Sequence, residues 1–97
     1  MLNKNQIKFL KSLSNNNIQK YQVGKNEITD TVVEMLSNAL TKYELIKVVL
    51  NTSVKSNIDE YKDILKVLLR CEIVQVVGGV ITIYRPNIKE PKIKLPR

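Results

Sequence analysis

The sequence predicts an α/β domain whose elements follow the order helix, strand, helix, strand, helix, strand, strand. Two observations carry this prediction. Residues 19–50 change from the alternation of a strand to the three- and four-residue spacing of a helix, and then return to a strand. Residues 71–84 contain two β-rich runs separated only by paired glycines. A chain of 97 residues is long enough for one two-layer core and too short for two independent domains.

The chain opens with a predicted helix from about Asn3 or Asn5 to Ser14. Its apolar residues define a buried side: Ile7, Leu10 and Leu13, supported by Leu2 and Phe9. Three lysines at i, i+4 and i+7 line the other side: Lys4, Lys8 and Lys11. A solvated helix face is the commoner explanation of an isolated stripe of this kind. Residues 1–25 contain no acidic residue, which favours a contact surface for a polyanion.

The segment 19–50 predicts a βαβ unit with two parallel strands. The first strand spans Gln19 to Val23, the helix begins within two residues of Thr29, and the second strand spans Leu45 to Leu50. The loop Gly24 to Glu27 then lies at the amino end of a helix, where backbone N–H groups and the helix dipole favour an anion. Lys47 is the one charged residue of the second strand, so we expect its face to be open to solvent or to a ligand.

A third helix is predicted from Asn57 to about Leu69, because Asn57 and Glu60 match the capping pattern at a helix start. Its acidic first turn and its lysines are interpreted as surface charges. The predicted buried stripe consists of Ile58, Tyr61, Ile64, Leu65, Leu68 and Leu69.

The last regular unit is predicted to be a hairpin in which Val77 pairs with Val80 across Gly78 and Gly79. A tight turn explains these glycines better than phosphate binding does. Strict alternation gives a core face of Val74, Val76, Ile81 and Ile83 and an opposite face of Ile73, Gln75, Thr82 and Tyr84. Three prolines make the tail, residues 85–97, extended.

The formal net charge of +7 is concentrated at the two ends of the chain. Residues 1–25 carry five lysines and no acid, residues 85–97 carry five basic residues and one acid, and residues 26–84 carry six basic and eight acidic residues. This segregation favours a polyanionic partner, with nucleic acid first and an anionic membrane surface second. The first helix has too little exposed apolar surface for membrane insertion. One cysteine and the absence of a signal-like amino terminus predict a cytoplasmic protein.

Enzyme chemistry has little support in the sequence. There is no histidine, and the single cysteine, Cys71, cannot form a thiolate metal site by itself. Cys71 opens a predicted buried strand, where a small apolar role is expected. No Walker-type or dinucleotide-binding loop is present. We therefore expect no catalytic residue, no metal, no cofactor and no small-molecule substrate.

Three segments closely resemble the bacterial YhbY family, the single-domain form of the CRM (chloroplast RNA splicing and ribosome maturation) domain. They are QVGKNEITDT at 22–31, YELIKVVL at 43–50 and QVVGGVITIYRPNIKEPKIKLPR at 75–97. The resemblance spans almost the entire chain. It implies one RNA-binding domain over residues 1–97, similar to the carboxyl-terminal domain of bacterial translation initiation factor three, with a four-stranded mixed sheet. It also implies association with large-subunit ribosomal RNA or its precursor.

The resemblance also implies RNA-contacting positions. The family's G-x-x-G loop is matched by Gly24, Lys25 and Asn26, but Glu27 stands where the final glycine is expected. With the basic residues on either side, the predicted RNA-binding set is Gly24, Lys25, Asn26, Lys4, Lys8, Lys11, Lys20, Lys47 and Arg85. Tyr21 and Tyr84 are the best candidates for base stacking, although core packing is the favoured role for each. We expect a monomer. The alternative is a non-catalytic adaptor that docks on a ribosomal protein through a sheet edge or the tail.

Overall fold

The computed structural model describes residues 2–16, 18–23, 29–50 and 58–96. Three helices and four strands follow the predicted order. They are α1 (Lys4–Ser14), β1 (Lys20–Val23), α2 (Asp30–Tyr43), β2 (Leu45–Leu50), α3 (Ile58–Leu69), β3 (Glu72–Val77) and β4 (Val80–Tyr84). The predicted starts of the first two helices are confirmed by their caps. The Asn3 side chain accepts from Gln6 N in a capping box, and Thr29 Oγ1 accepts from Val32 N.

The four strands form one mixed sheet in the order β1-β2-β4-β3. β1 and β2 are parallel, and β4 is antiparallel to both β2 and β3. The predicted βαβ unit, the Val77–Val80 pairing and the α/β fold class with a four-stranded mixed sheet are therefore confirmed. Gly78 has φ +59°, a conformation that the turn requires and that glycine adopts without strain.

Helices α2 and α3 cover one face of the sheet, which we call the helical face. The described residues that form its core are all apolar. The largest buried members include Leu36 and Leu40 from α2, Leu65 from α3, and Ile81 and Ile83 from β4. Removing this apolar surface from water is the main source of stability for a domain of this size.

The prediction for α3 was wrong at two positions. Ile64 is 37% exposed and Leu68 is 51% exposed, although both were expected in the buried stripe. The helix contacts the sheet through a narrower row that contains Leu65 and Leu69, with Ile58 and Tyr61 partly buried beside them. Ile64 and Leu68 lie about 100° around the helix from that row, so they face away from the sheet.

The predicted faces of β3 were wrong at Ile73 and Val74. A bulge separates Ile73, which pairs with Ile83, from Gln75, which pairs with Thr82. The extra residue reverses the alternation on one side of the bulge. Ile73 therefore packs on the helical face and Val74 on the opposite face. The remaining faces of the hairpin follow the prediction.

The opposite face of the sheet is only partly covered. Leu10 from α1 packs against Leu45, Val74 and Tyr84, and all four side chains are buried. Ile93 and Leu95 from the tail complete this second cluster, together with Leu2, Leu13 and Ile18. The side-chain amide of Gln6 donates through Nε2 to the Pro96 carbonyl oxygen at 3.1 Å, which links α1 directly to the tail.

Glu44, at the junction of α2 and β2, holds the tail in place. Its side chain is fully buried, and its carboxylate accepts from three tail amides: Asn87 N at 2.6 Å, Lys92 N at 2.5 Å and Ile93 N at 2.7 Å. Its φ of +65° is one that residues with a side chain rarely adopt. Three hydrogen bonds to one carboxylate account for a glutamate where a helix end usually has glycine.

Candidate nucleic-acid interface

The uncovered half of the sheet carries two rows of side chains that run across all four strands. We call the first the polar row, and strand register aligns its members as Lys20, Lys47, Thr82 and Gln75. We call the second the apolar row, and it consists of Val49, Val80 and Val77, with Gln22 at its β1 end. The next pair along, Leu45 with Tyr84, already lies beneath α1 and the tail.

These two rows form the floor of an open groove of about 700 Å³, which Asn15 at the end of α1 also lines. The groove exists because α1 and the tail stop short of the polar row. Lys47 therefore lies on an open face, as the sequence analysis predicted.

Among the described residues, two lysines and no acidic residue line the groove. Lys20 and Lys47 are register partners on neighbouring strands, which are about 4.8 Å apart in a sheet. Neither lysine forms an ion pair within the described parts of the chain, where Lys62 and Asp59 form one on α3 at 3.8 Å. Two adjacent unneutralised ammonium groups attract an anion such as a phosphate.

Thr82 contributes an unsatisfied polar group to the groove floor. Thr82 pairs with Lys47 on one side and with Gln75 on the other. Its hydroxyl is buried and has no hydrogen-bond partner among the described residues. Buried polar groups without a partner are uncommon in proteins and call for an explanation. Gln75 Nε2 is directed elsewhere, since it donates to Ser14 Oγ at 3.5 Å.

The lysine stripe of α1 leads toward this groove. Lys4, Lys8 and Lys11 are all exposed, and Asn15 continues their spacing by four residues. At 100° per residue these four positions fall within a sector of about 60° on the helix. Since Asn15 lines the groove, the stripe and the groove form one continuous surface.

Arg85 lies apart from the lysines. Its guanidinium donates to the Leu69 carbonyl oxygen at 3.0 Å, to the Ser37 carbonyl oxygen at 2.6 Å and to Thr41 Oγ1 at 3.0 Å. These acceptors belong to α2 and α3, so the side chain joins the two helices on the helical face. The guanidinium of Arg85 thus donates to helix carbonyl oxygens, and a cation near the carboxyl end of a helix interacts favourably with the helix dipole.

The other predicted positions divide between the core and undescribed residues. Gly24, Lys25, Asn26 and Glu27 lie outside the described residues. Tyr21 packs against the core of the helical face, and Tyr84 is buried in the second cluster. Burial, together with the Glu44 carboxylate, raises the pKa of Tyr84. Neither ring is placed for stacking on a base.

Reasoning from the sequence missed most of the groove. The pairing of Val77 with Val80 does place Gln75 and Thr82 opposite the core, but the register of β1 against β2 has no local signal in the sequence. Glu44 was also missed, because its tail partners are more than forty residues away in the chain.

Within the described ranges, no group of three or more histidine, cysteine, aspartate or glutamate side chains is arranged to hold a metal ion. Among the same residues, no helix has the length and apolar character that crossing a bilayer requires.

The chain matches a known domain family over most of its length. The family model of the CRS1 / YhbY (CRM) domain matches residues 2–85, and the chain belongs to this family. The resemblance inferred from the sequence is therefore confirmed.

Two curated proteins are similar to the chain over almost its full length. "Probable RNA-binding protein YqeI" of Bacillus subtilis is 34% identical, over 99% of this chain and 100% of the relative. A Haemophilus influenzae protein named "RNA-binding protein" is 31% identical, over 99% of this chain and 96% of the relative. Among solved structures, the solution structure of the hypothetical protein SAV1595 from Staphylococcus aureus matches with a TM-score of 0.81 and 33% identity, over 99% of this chain and 100% of that one.

Proposed function

We propose that this chain is a non-catalytic RNA-binding protein that acts in ribosome assembly, on large-subunit ribosomal RNA or its precursor. The whole chain, residues 1–97, acts as one domain, as a monomer in the cytoplasm. The observation that carries the proposal is the pair Lys20 and Lys47, which lie side by side in a groove whose described lining contains no acidic residue and which continues into the lysine stripe. The relatives named as RNA-binding proteins support it.

The mechanism is neutralisation of phosphates by lysines that have no internal partner. Each phosphate contact releases a condensed counterion, so affinity depends steeply on salt. Residues 24–27 follow β1, the strand that carries Lys20, and we propose that their backbone N–H groups contact the same RNA. The proposal leaves Arg85 out of the contact surface, because its donors already bind helix carbonyls.

Changing Lys20 and Lys47 together to glutamine tests the proposal. We expect affinity for a fragment of large-subunit ribosomal RNA to fall about tenfold or more. If both lysines contact phosphates of single-stranded RNA, the slope of log affinity against log salt should decrease in magnitude by about 1.4, since each such contact contributes about 0.7. Titrations at several salt concentrations measure both quantities.

The matched control changes Lys42 and Lys66 to glutamine, which removes the same charge from α2 and α3. Both side chains are exposed on the helices of the helical face, away from the groove. Equal losses in the two double variants would show that net charge alone drives binding. A flat salt profile for the unmodified chain would contradict phosphate binding altogether.

The adaptor function is favoured by one observation, the exposed apolar face of α3. Ile64, Val67 and Leu68, together with Asp63, line a shallow recess there. A ribosomal protein docked on this face would remain bound after nuclease treatment, whereas an RNA-mediated association would not.

A further inference from the structure

We propose that the groove binds unpaired RNA nucleotides, with the backbone over Lys20 and Lys47 and a base against the apolar row. This inference rests on the proposed function and specifies its ligand. It distinguishes single-stranded segments from duplex as the class of RNA that the groove recognises.

The size of the groove favours an unpaired segment. A volume of about 700 Å³ lies in the range of ~300–1,000 Å³ typical of sites for small ligands. Nucleotides fit such a volume, whereas a double helix is far too wide to enter it. A duplex would reach only the rims, and it would leave the apolar row uncovered.

The two rows of the groove match the two parts of a nucleotide, the charged phosphate and the apolar face of the base. One row offers positive charge at Lys20 and Lys47, and the parallel row offers an aliphatic surface, where Val77 is 63% exposed. Phosphate alone would use the first row and gain nothing from the second. An unpaired base has an apolar face that gains from covering exposed valines.

Amide side chains stand at the two ends of the groove. Gln22 lies at the β1 end, and Gln75 and Asn15 lie at the β3 end. Each amide offers both donors and an acceptor, which is what the edges of an unpaired base require. The unpartnered Thr82 hydroxyl, in the floor between Lys47 and Gln75, is a further hydrogen-bonding group that becomes reachable when those side chains move onto a ligand.

Charge favours RNA over a protein segment as the occupant. In the described part of this groove, a basic ribosomal protein would meet two lysines and no acid. The groove also lies on a sheet face, not along a free strand edge, so it cannot bind an extended peptide by adding a strand.

The test compares two exposed valines that differ in location. Val77→Glu places a carboxylate in the groove, and Val67→Glu places one on α3, where the side chain is 74% exposed. The two variants have the same net charge. The ligands are an RNA oligonucleotide of about ten nucleotides, within the range of known single-strand sites, and its blunt duplex.

We expect Val77→Glu to lower the affinity for the single strand about tenfold, through repulsion of phosphate and loss of apolar contact, and to change duplex affinity less than about twofold. Val67→Glu should leave both affinities within about twofold of the unmodified chain. Thermal unfolding of both variants verifies that each is folded. An oligonucleotide with abasic sites should bind the unmodified chain more weakly than the intact single strand does.

Four outcomes overturn parts of the proposal in distinguishable ways. Equal losses in the two valine variants place the contact outside the groove. Equal losses on single strand and duplex remove the preference for unpaired RNA, and unchanged binding of the abasic strand removes the base contact. In these three cases the proposed function stands if the double variant, Lys20→Gln with Lys47→Gln, still binds RNA more weakly than the unmodified chain does. Failure of the unmodified chain to bind any RNA would overturn the proposed function itself.

Discussion

The two faces of the sheet differ in how completely they are covered. On the helical face, α2 and α3 cover an apolar core without a charged side chain. On the opposite face, α1 and the tail cover Leu45 and Tyr84 and then stop before Lys20 and Lys47. The cover ends where burial would require removing two like charges from water, which is costly without partners. One face therefore serves stability, and half of the other remains available for a ligand.

The same comparison separates two kinds of basic residue. Arg85 and Lys47 both appeared in the sequence as candidates for RNA contact. The guanidinium of Arg85 donates to three oxygen atoms of α2 and α3, whereas Lys47 lines the groove beside another lysine. Positive charge alone does not distinguish a side chain that is held by the fold from one that is open to a ligand, whereas the hydrogen-bond partners of the side chain do.

The largest expected effect on stability is at Glu44, whose carboxylate holds the tail in place on the partly covered face. Glu44→Gln replaces a carboxylate that accepts from three backbone amides with a group that has only one acceptor oxygen. We expect the free energy of unfolding to fall by about 3 kcal/mol, because hydrogen bonds to a charged group are the stronger kind and a buried donor is left unpaired. Urea denaturation measures this loss.

Glu34→Gln, at an exposed position on α2, is the matched control and should change stability by less than about 0.5 kcal/mol. Similar losses in both variants would mean that the Glu44 carboxylate does not hold the tail.

A smaller effect on stability is expected at Arg85. This variant also tests whether the helical face takes no part in RNA binding. Arg85→Gln removes the link between α2 and α3, so we expect a loss of about 2 kcal/mol in stability with RNA affinity changed less than about threefold. Arg70→Gln, at an exposed residue, removes the same charge as a control. If Arg85→Gln instead weakens RNA binding tenfold at unchanged stability, the helical face also contacts RNA.

A pH-dependent effect is expected at Cys71, a buried member of the helical face. Burial raises the pKa of its thiol from 9.0 to about 11, against a lowering contribution from Arg85. The folded thiol thus keeps its proton to a higher pH than the unfolded thiol does. This contribution to stability is complete below pH 9 and is lost as the pH rises through about 11.

Comparing unfolding of the unmodified chain with that of Cys71→Ala isolates this contribution, because other alkaline titrations are common to both. We expect the stability difference between them to shrink as the pH rises from 9 to 11. Iodoacetamide should also react slowly with the folded chain at about pH 8. Rapid alkylation of folded protein would show that the helical face admits solvent.

The sequence predicted those parts of the molecule that local patterns determine. Strand β2 and the pairing of Val77 with Val80 followed from alternation and from the glycine turn. The bulge at Val74 could not be predicted, because a single extra residue leaves the apolar composition of β3 unchanged. Ile64 and Leu68 were assigned to the core because apolar spacing shows which side of a helix is apolar, but not how much of that side a sheet covers.

The candidate site was predictable only in part for the same reason. The face of Lys47 was identified correctly from the single charge on an otherwise apolar strand. Its alignment with Lys20 depends on strand register, and the separation of Arg85 from both depends on how two helices pack. Both are properties of the assembled fold.

The second cluster has a consequence for folding during synthesis. It joins Leu10 of α1 to Ile93 and Leu95, residues from opposite ends of the chain. A contact over such a separation carries a large loop-closure cost and forms late. While the chain is being translated, α1 can contact Leu45 of β2 before its other partners, Val74, Tyr84 and Ile93, have been made. Docking of Ile93 and Leu95 therefore completes the cluster that fixes the lysine stripe beside the groove.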